Sequence, residues 1–406
     1  MIKFILSILL SLIFISCADE GKTFNSANGG HTRSNNYEGI NKVFSNYISY
    51  KEFKFSGEVD SSGFLFPPFF INSNDYLYIS KSNKIHVIID DRVMSTFDLE
   101  TNFIASNPCK DENDNVYFQA HNGTIYSYNL SDRRKAKLNW KTENAKSEPT
   151  LYSDLVYFNN KIYSSSTKFG LEVYNTDGKL DYNVEINNSI RHFAIANDNS
   201  IYISTTHDDF QKEDTLIAIK DGKVKYKIGL EGRLYSAPIC IDNEVVVPIL
   251  FEIKENKYIR IVRLDENGKL ISKIENNIVC KYISADNEGN IYTISSNSGL
   301  GIQVSYLNKY DKTGKKLWAQ NVDLDINSPM LICDDAAVFC GERDGATGLF
   351  YFDKNSGKLS SSIALSSVPL HSLVPVYKSS GGIVLGAANN AGLIVIERSS
   401  LDKIMR

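Results

Sequence analysis

The sequence predicts an all-β fold, a β-propeller of four-stranded antiparallel blades closed by an N-terminal strand, and three observations carry that prediction. A unit of 39–47 residues recurs from about residue 66 onward. Within each unit apolar and polar residues alternate with period two, between turn residues spaced every 8–12 positions. No stretch after residue 40 shows a sustained helical stripe. A period of this length, built from short strands, belongs to propeller blades and not to helical solenoids.

Composition agrees with a folded, β-rich chain. Of 406 residues, 42% are hydrophobic and 23% charged, with 23 Tyr and 21 Phe. That is too apolar and aromatic for disorder and too polar for a polytopic membrane protein. The formal net charge of −4 offers no basic excess for nucleic acid. Length alone suggests two or three domains, whereas the repeat organises residues 41–406 as one propeller.

The N-terminal segment stands outside that fold. Residues 1–16 hold one basic residue, Lys3, then an apolar run broken only by serines. The run is too short for a permanent membrane span and fits the apolar part of a secretory signal. It ends in Phe14-Ile15-Ser16-Cys17, which resembles the lipobox of bacterial lipoproteins, with Phe14 where Leu is usual. The resemblance implies cleavage before Cys17 and acylation of its thiol, hence a membrane anchor. The alternative is an ordinary signal peptide with a chance cysteine. Residues 17–40 then hold the lipidated Cys17 and a polar tether rich in Asn, Ser and Gly, reaching roughly 25 Å for about twenty residues.

The blades follow in order. Their second strands are NDYLYIS, NDNVYFQ, NNKIYSS, DNSIYIS, DNEVVVP, EGNIYTI, DDAAVFC and GGIVLGA. They are anchored at Tyr78, Tyr117, Tyr163, Tyr202, Val247, Tyr292, Phe339 and Leu385. Eight anchors predict eight blades, or seven if one unit is degenerate. First strands open near a proline (Pro68, Pro108, Pro149, Pro238, Pro329, Pro375) in six units. Third strands end at Asx-Gly turns such as Asn175-Thr-Asp-Gly178, Asp265-Glu-Asn-Gly268 and Asp311-Lys-Thr-Gly314. There the acid or amide bonds its own backbone and glycine takes the positive φ. Fourth strands open with lysine and carry an aromatic: Trp140, Tyr182, Tyr226 or Trp318. The last unit has too few residues left for a fourth strand. ISYKEFKFSG (residues 48–57) therefore completes it, joining the chain ends and removing an open edge.

The turn and aromatic of Tyr310-Asp-Lys-Thr-Gly-Lys-Lys-Leu-Trp318, with the following Ser328-Pro329, resemble the PQQ-like propeller repeat over roughly residues 60–406. The repeat is similar to that of the lipidated eight-bladed outer-membrane assembly propellers of Gram-negative bacteria. That resemblance implies a cell-envelope location, outer membrane favoured, and envelope or outer-membrane proteins as partners. Quinoprotein dehydrogenases with the same repeat carry an adjacent Cys-Cys pair beside the quinone and an acidic calcium site. This chain has no Cys-Cys dipeptide. Its Asp111-Glu-Asn-Asp-Asn115 lacks the sixth-position Gly and closing Glu of a calcium loop, so it reads as a hairpin turn.

No catalytic residue, metal ligand or cofactor is assigned. The histidines (His31, His86, His121, His192, His207, His371) show no ligand spacing, and GxSxG or phosphate-cradling motifs do not occur. Cys109, Cys240, Cys280, Cys333 and Cys340 read as small buried hydrophobes, with a Cys333–Cys340 bridge as the alternative. One asymmetry suggests a binding surface. Three consecutive blades carry about six extra residues between second and third strands. These extra loops place His207, Asp208, Asp209 and Phe210, then Glu252, Lys254, Lys257 and Tyr258, then Asn297, on one raised rim. The expectation is a monomeric, membrane-anchored, non-enzymatic interaction scaffold. A surface ligand- or glycan-binding lipoprotein is the alternative, with a divergent quinoprotein enzyme behind it.

Overall fold

A computed structural model covers the chain. It describes residues 48–54, 69–70, 75–80 and 84–89. From 92 to 398 it describes all but 101–105, 107, 121, 143–154, 167–169, 187, 207–213, 254–255, 277–279, 298–303, 327, 366–373, 378–382 and 390–391. The expected signal segment, Cys17 and the tether lie outside the described residues, as do His31 and His371.

The described residues contain strands and turns and no helix. They form eight antiparallel sheets, each with four strand positions. The order is sequential in seven of them: Cys109–Lys110, Asn115–Gln119, Ile125–Asn129 and Lys137–Lys141 make the second sheet, for example. In the fifth and seventh sheets the first position is split in two, Arg233–Leu234 with Ile239–Ile241 and Asp325–Ile326 with Leu331–Ile332. Each break carries the expected proline, Pro238 or Pro329, which cannot donate to the ladder. In the eighth sheet the fourth position is taken by Ile48–Lys54, paired with Gly392–Arg398, so the two ends of the chain share one sheet.

The core lies between sheets. Six apolar clusters among the described residues are each shared by two consecutive sheets. Val173, Leu171 and Tyr163 of the third sheet pack on Phe193, Ile203 and Ile217 of the fourth. Tyr202 and Leu216 of the fourth pack on Val245 and Val247 of the fifth. Second and third strands contribute to both of their faces, which is why they read as near-continuous apolar runs.

A second device fixes the outer edge of four of these contacts. Seven sheets show a register shift at one place, where the third strand ends: Val87/Ile88, Ser127/Tyr128, Val173/Tyr174, Ala218/Ile219, Arg263/Leu264, Lys309/Tyr310 and Tyr351/Phe352. This bulge sharpens the twist as the chain enters the Asx-Gly turn. The fourth-strand aromatic of the preceding sheet then lies against that turn's glycine. The Trp140 indole N–H donates to the Thr176 carbonyl at 2.8 Å, and Trp318 does the same to Lys354 at 3.2 Å. A Cβ on Gly178 would stand 2.7 Å from Trp140, and one on Gly357 2.7 Å from Trp318. Tyr182 covers Gly222 and Tyr226 covers Gly268 in the same way.

All five cysteines are buried free thiols, so no Cys333–Cys340 bridge forms. Cys333 falls opposite Ala336, and Cys340 pairs with Leu349. Burial pushes the Cys280 thiol up to about 12, and the Cys109 and Cys340 thiols higher still. A thiol reagent at pH 8 will therefore leave all five unmodified in the native Cys17→Ser chain and label them once urea unfolds it. Labelling of the native protein would contradict this burial.

The aromatic docks make a second prediction. Gly345 has a φ of +75° and open space within 4 Å of where a Cβ would stand, whereas Gly178 and Gly357 share the positive φ but face an indole. Gly345→Ala should cost about 1 kcal/mol, from backbone strain alone. Gly178→Ala and Gly357→Ala should cost about 1–3 kcal/mol more, from the clash. Urea midpoints measure the difference.

Candidate interaction face

Antiparallel strands place the first-to-second and third-to-fourth turns at one end of the molecule. The second-to-third turns and the connections between sheets fall at the other. The two ends differ in chemistry.

At the first end the acidic turns are committed to their own backbones. Asp111 is 1% exposed. Its Oδ1 accepts from the Asn113 and Asn115 backbone N–H groups at 2.9 Å each, and its Oδ2 from Asn115 Nδ2 at 2.7 Å and the Tyr117 hydroxyl at 2.8 Å. The sixth sheet repeats this: Asp286 accepts from Asn290 N and Nδ2 at 2.8 Å and from the Tyr292 hydroxyl at 2.9 Å. Buried Lys309 lies 3.7 Å from the same carboxylate. Asp followed by Asn at the fourth position and Tyr at the sixth is thus a turn lock that joins hairpin to core. Its carboxylate oxygens are spent on hydrogen bonds, which explains the resemblance to a calcium loop without a calcium-binding role. Burial and the bond to Asp111 both push the Tyr117 phenol well up.

The second end is where the second-to-third turns of the expected rim fall. His207, Asp208, Asp209, Phe210 and Lys254 lie outside the described residues. The structure brings Glu252, Lys257 and Tyr258 together, but in strands and not in a loop. Glu244–Ile253 and Asn256–Leu264 form one long hairpin, with Glu252 opposite Lys257 and Ile253 opposite Asn256. The extra residues of this blade lengthen its ladder, which runs unbroken from Val245 opposite Leu264 to Ile253 opposite Asn256. Asn297 ends the second strand of the sixth sheet, opposite Val304.

The fifth-sheet hairpin overhangs its neighbours. The first position pairs as far as Arg233 with Leu250, and the fourth as far as Asn276 with Ile259. Among the described residues, no flanking strand pairs with Phe251–Ile253 or Asn256–Tyr258. Phe251 and Tyr258, directly opposite in the ladder, stack with ring centroids 5.5 Å apart, and the Arg260 guanidinium lies 4.6 Å from the Phe251 centroid. Arg260 is held in turn by Glu231 at 2.9 Å and Glu275 at 3.4 Å. Stacked aromatics and a fixed arginine make a compact, pre-ordered cluster, with little side-chain entropy left to lose. Phe251 and Arg260 were not singled out by sequence reasoning. Folding the sequence about Lys254-Glu255 would have paired Phe251 with Tyr258.

Asp214 fixes the base of this face. It is 1% exposed, and its Oδ2 accepts from the Leu234 backbone N–H at 2.7 Å while its own backbone bonds Leu230 and Gly232. Asp214 is thereby tied to the connection that leads into the overhanging hairpin. Removing the acceptor in Asp214→Ala strands a buried donor and should cost about 1–3 kcal/mol in denaturant unfolding. Asp214→Asn, which keeps an acceptor, should cost clearly less.

Three solved structures can be set beside this geometry. BamB from Moraxella catarrhalis is 13% identical, covering 86% of this chain and 98% of that one, with a TM-score of 0.57. A europium-containing methanol dehydrogenase is 11% identical over 94% of this chain and 99% of that one, at 0.61. The quinohemoprotein alcohol dehydrogenase from Comamonas testosteroni is 11% identical over 95% and 82%, at 0.63. The fold is a β-propeller. These likenesses establish architecture, and they include both an assembly-factor propeller and redox enzymes. No family model matches the sequence, and no curated protein does.

Proposed function

We propose that this chain is a non-enzymatic propeller, anchored through lipid on Cys17 in a bacterial envelope, that holds partner proteins on the end carrying the second-to-third turns. The overhanging hairpin of the fifth sheet carries the reading. It presents a stacked Phe251–Tyr258 pair and a fixed Arg260 beside two strand edges with which no described strand pairs. Projecting edges with aromatic anchors suit a protein segment that adds as an extra strand. The fold likeness to BamB supports a scaffold role in outer-membrane assembly. The buried turn acids favour the scaffold over a quinoprotein enzyme, since Asp111 and Asp286 use their oxygens within their own turns.

Phe251→Ala with Tyr258→Ala should reduce partner recovery after cross-linking in cells at least tenfold, with the melting midpoint shifted by no more than about 3 °C. Undiminished recovery of all partners would remove this face from the reading. Exchanging residues 207–213 for a short turn tests the neighbouring segment, provided Asp214 is kept for its bond to Leu234. Adding PQQ with calcium should leave the melting midpoint unchanged. A saturable rise would instead favour the quinoprotein reading. Protease treatment of intact cells separates a periplasmic scaffold, which is protected, from a surface-exposed binder, which is cut.

A further inference from the structure

The direction of one strand orients the whole propeller. Ile48–Lys54 is antiparallel to Gly392–Arg398, with Ile48 opposite Arg398 and Lys54 opposite Gly392. In the other sheets the third strand ends at the third-to-fourth turn, where the fourth strand begins. Ile48 therefore stands at that end of the molecule, in the place where a Gly-Lys turn delivers the fourth strand elsewhere. The 47 residues that precede it, Cys17 among them, join the fold at the end opposite the overhanging hairpin. A polar tether of the expected composition spans only a few tens of ångströms on average, so the end it joins is the one held near the anchor.

That end has a repeated outer ring. Five consecutive sheets carry a lysine directly after the turn glycine: Lys179, Lys223, Lys269, Lys315 and Lys358. One or two residues later comes an aliphatic side chain that stands 41–53% exposed: Leu180, Val224, Leu270, Leu317 and Leu359. The outer turns carry acids too: Asp221 and Glu266 stand exposed beside the ring lysines, and three others are tied into their own turns. Asp265, Asp311 and Asp353 accept backbone N–H bonds within their turns. On the inner turns Asp114 pairs with Arg133, Asp198 with Lys220, Glu244 with Arg263 and Asp286 with Lys309. Of the ring lysines, Lys179 is paired with Asp177, and both are exposed. Asp242, Asp334 and Asp335 stand on the inner turns, away from the outer ring.

We propose that this ring of lysines and exposed aliphatic side chains seats on the phospholipid headgroup layer. The propeller then stands with its third-to-fourth-turn end on the membrane and its overhanging hairpin pointing away. Lysine ammonium groups meet headgroup phosphates while leucines enter the interface, and neither alone would hold the domain. The proposal rests on the anchor reading of Cys17.

Two arms test it separately from that reading. In the first, the full lipidated chain carries a fluorophore at Lys312→Cys or at Asp344→Cys, in vesicles of phosphatidylethanolamine and phosphatidylglycerol with a headgroup quencher. Quenching should be at least threefold stronger at position 312, and equal or reversed quenching overturns the orientation. In the second, the full chain with Cys17→Ser is sedimented with the same vesicles at low salt. Leu180→Ser, Leu270→Ser and Leu359→Ser together should lower the bound fraction at least threefold, while Phe251→Ser with Tyr258→Ser leaves it unchanged. Equal loss in both, or in neither, overturns the lipid-seating ring. The mass of the N-terminal peptide reports acylation by itself, so loss of the anchor reading is distinguished from loss of this one.

Discussion

Four of the contacts between neighbouring blades are fixed by an aromatic ring laid against a glycine in the next blade. Trp140 on Gly178, Tyr182 on Gly222, Tyr226 on Gly268 and Trp318 on Gly357 repeat one contact. A bulge just before each turn brings the glycine to the ring, and the two indoles also cap a turn carbonyl. Flat sheets packed only through aliphatic clusters could slide over one another, because such packing is non-directional. The dock removes that freedom at the circumference, where a small rotation would carry a blade furthest. It also explains why glycine is needed twice over, for its positive φ and for the missing Cβ.

The same turns set where function can reside. At the end where first strands turn into second strands, acids are consumed in holding hairpins closed, as the parallel networks of Asp111 and Asp286 show. A carboxylate that already accepts three or four hydrogen bonds has little left for a ligand. At the opposite end the constraint relaxes. The fifth-sheet hairpin pairs beyond its described neighbours, and Phe251, Tyr258 and Arg260 pack on one another there, with Glu231 and Glu275 holding the arginine. Scaffold and contact surface are thus separated along one axis.

The sequence made the scaffold legible because the scaffold is repeated. Period-two strands, Asx-Gly turns and the fourth-strand aromatic recur often enough for one unit to explain the next, and even the N-terminal strand that completes the last sheet could be inferred from what that sheet lacked. The contact surface was legible only as extra length. Six surplus residues can form a loop or extend a ladder, and only the pairing of Glu252 with Lys257 and Ile253 with Asn256 decides it. The Phe251–Arg260 contact joins residues nine apart through a cross-strand diagonal, which no single-strand pattern reveals. Asp214 was visible as one more acid of a charged segment. Its burial and its bond to Leu234 depend on the path of the connection into the next sheet.

Strand direction adds what neither repeat nor contact surface supplies. A ring of identical blades has two faces and no intrinsic reason to present either one to a membrane. The eighth sheet breaks the equivalence, because its outer strand comes from the other end of the chain and must run from the turn end inward. Whatever precedes Ile48 is thereby attached to the face of locked turns, and the overhanging hairpin is attached to the other. A closure device that removes an open sheet edge also makes the two faces unequal: the chain before Ile48 joins one, and the long fifth-sheet hairpin stands on the other.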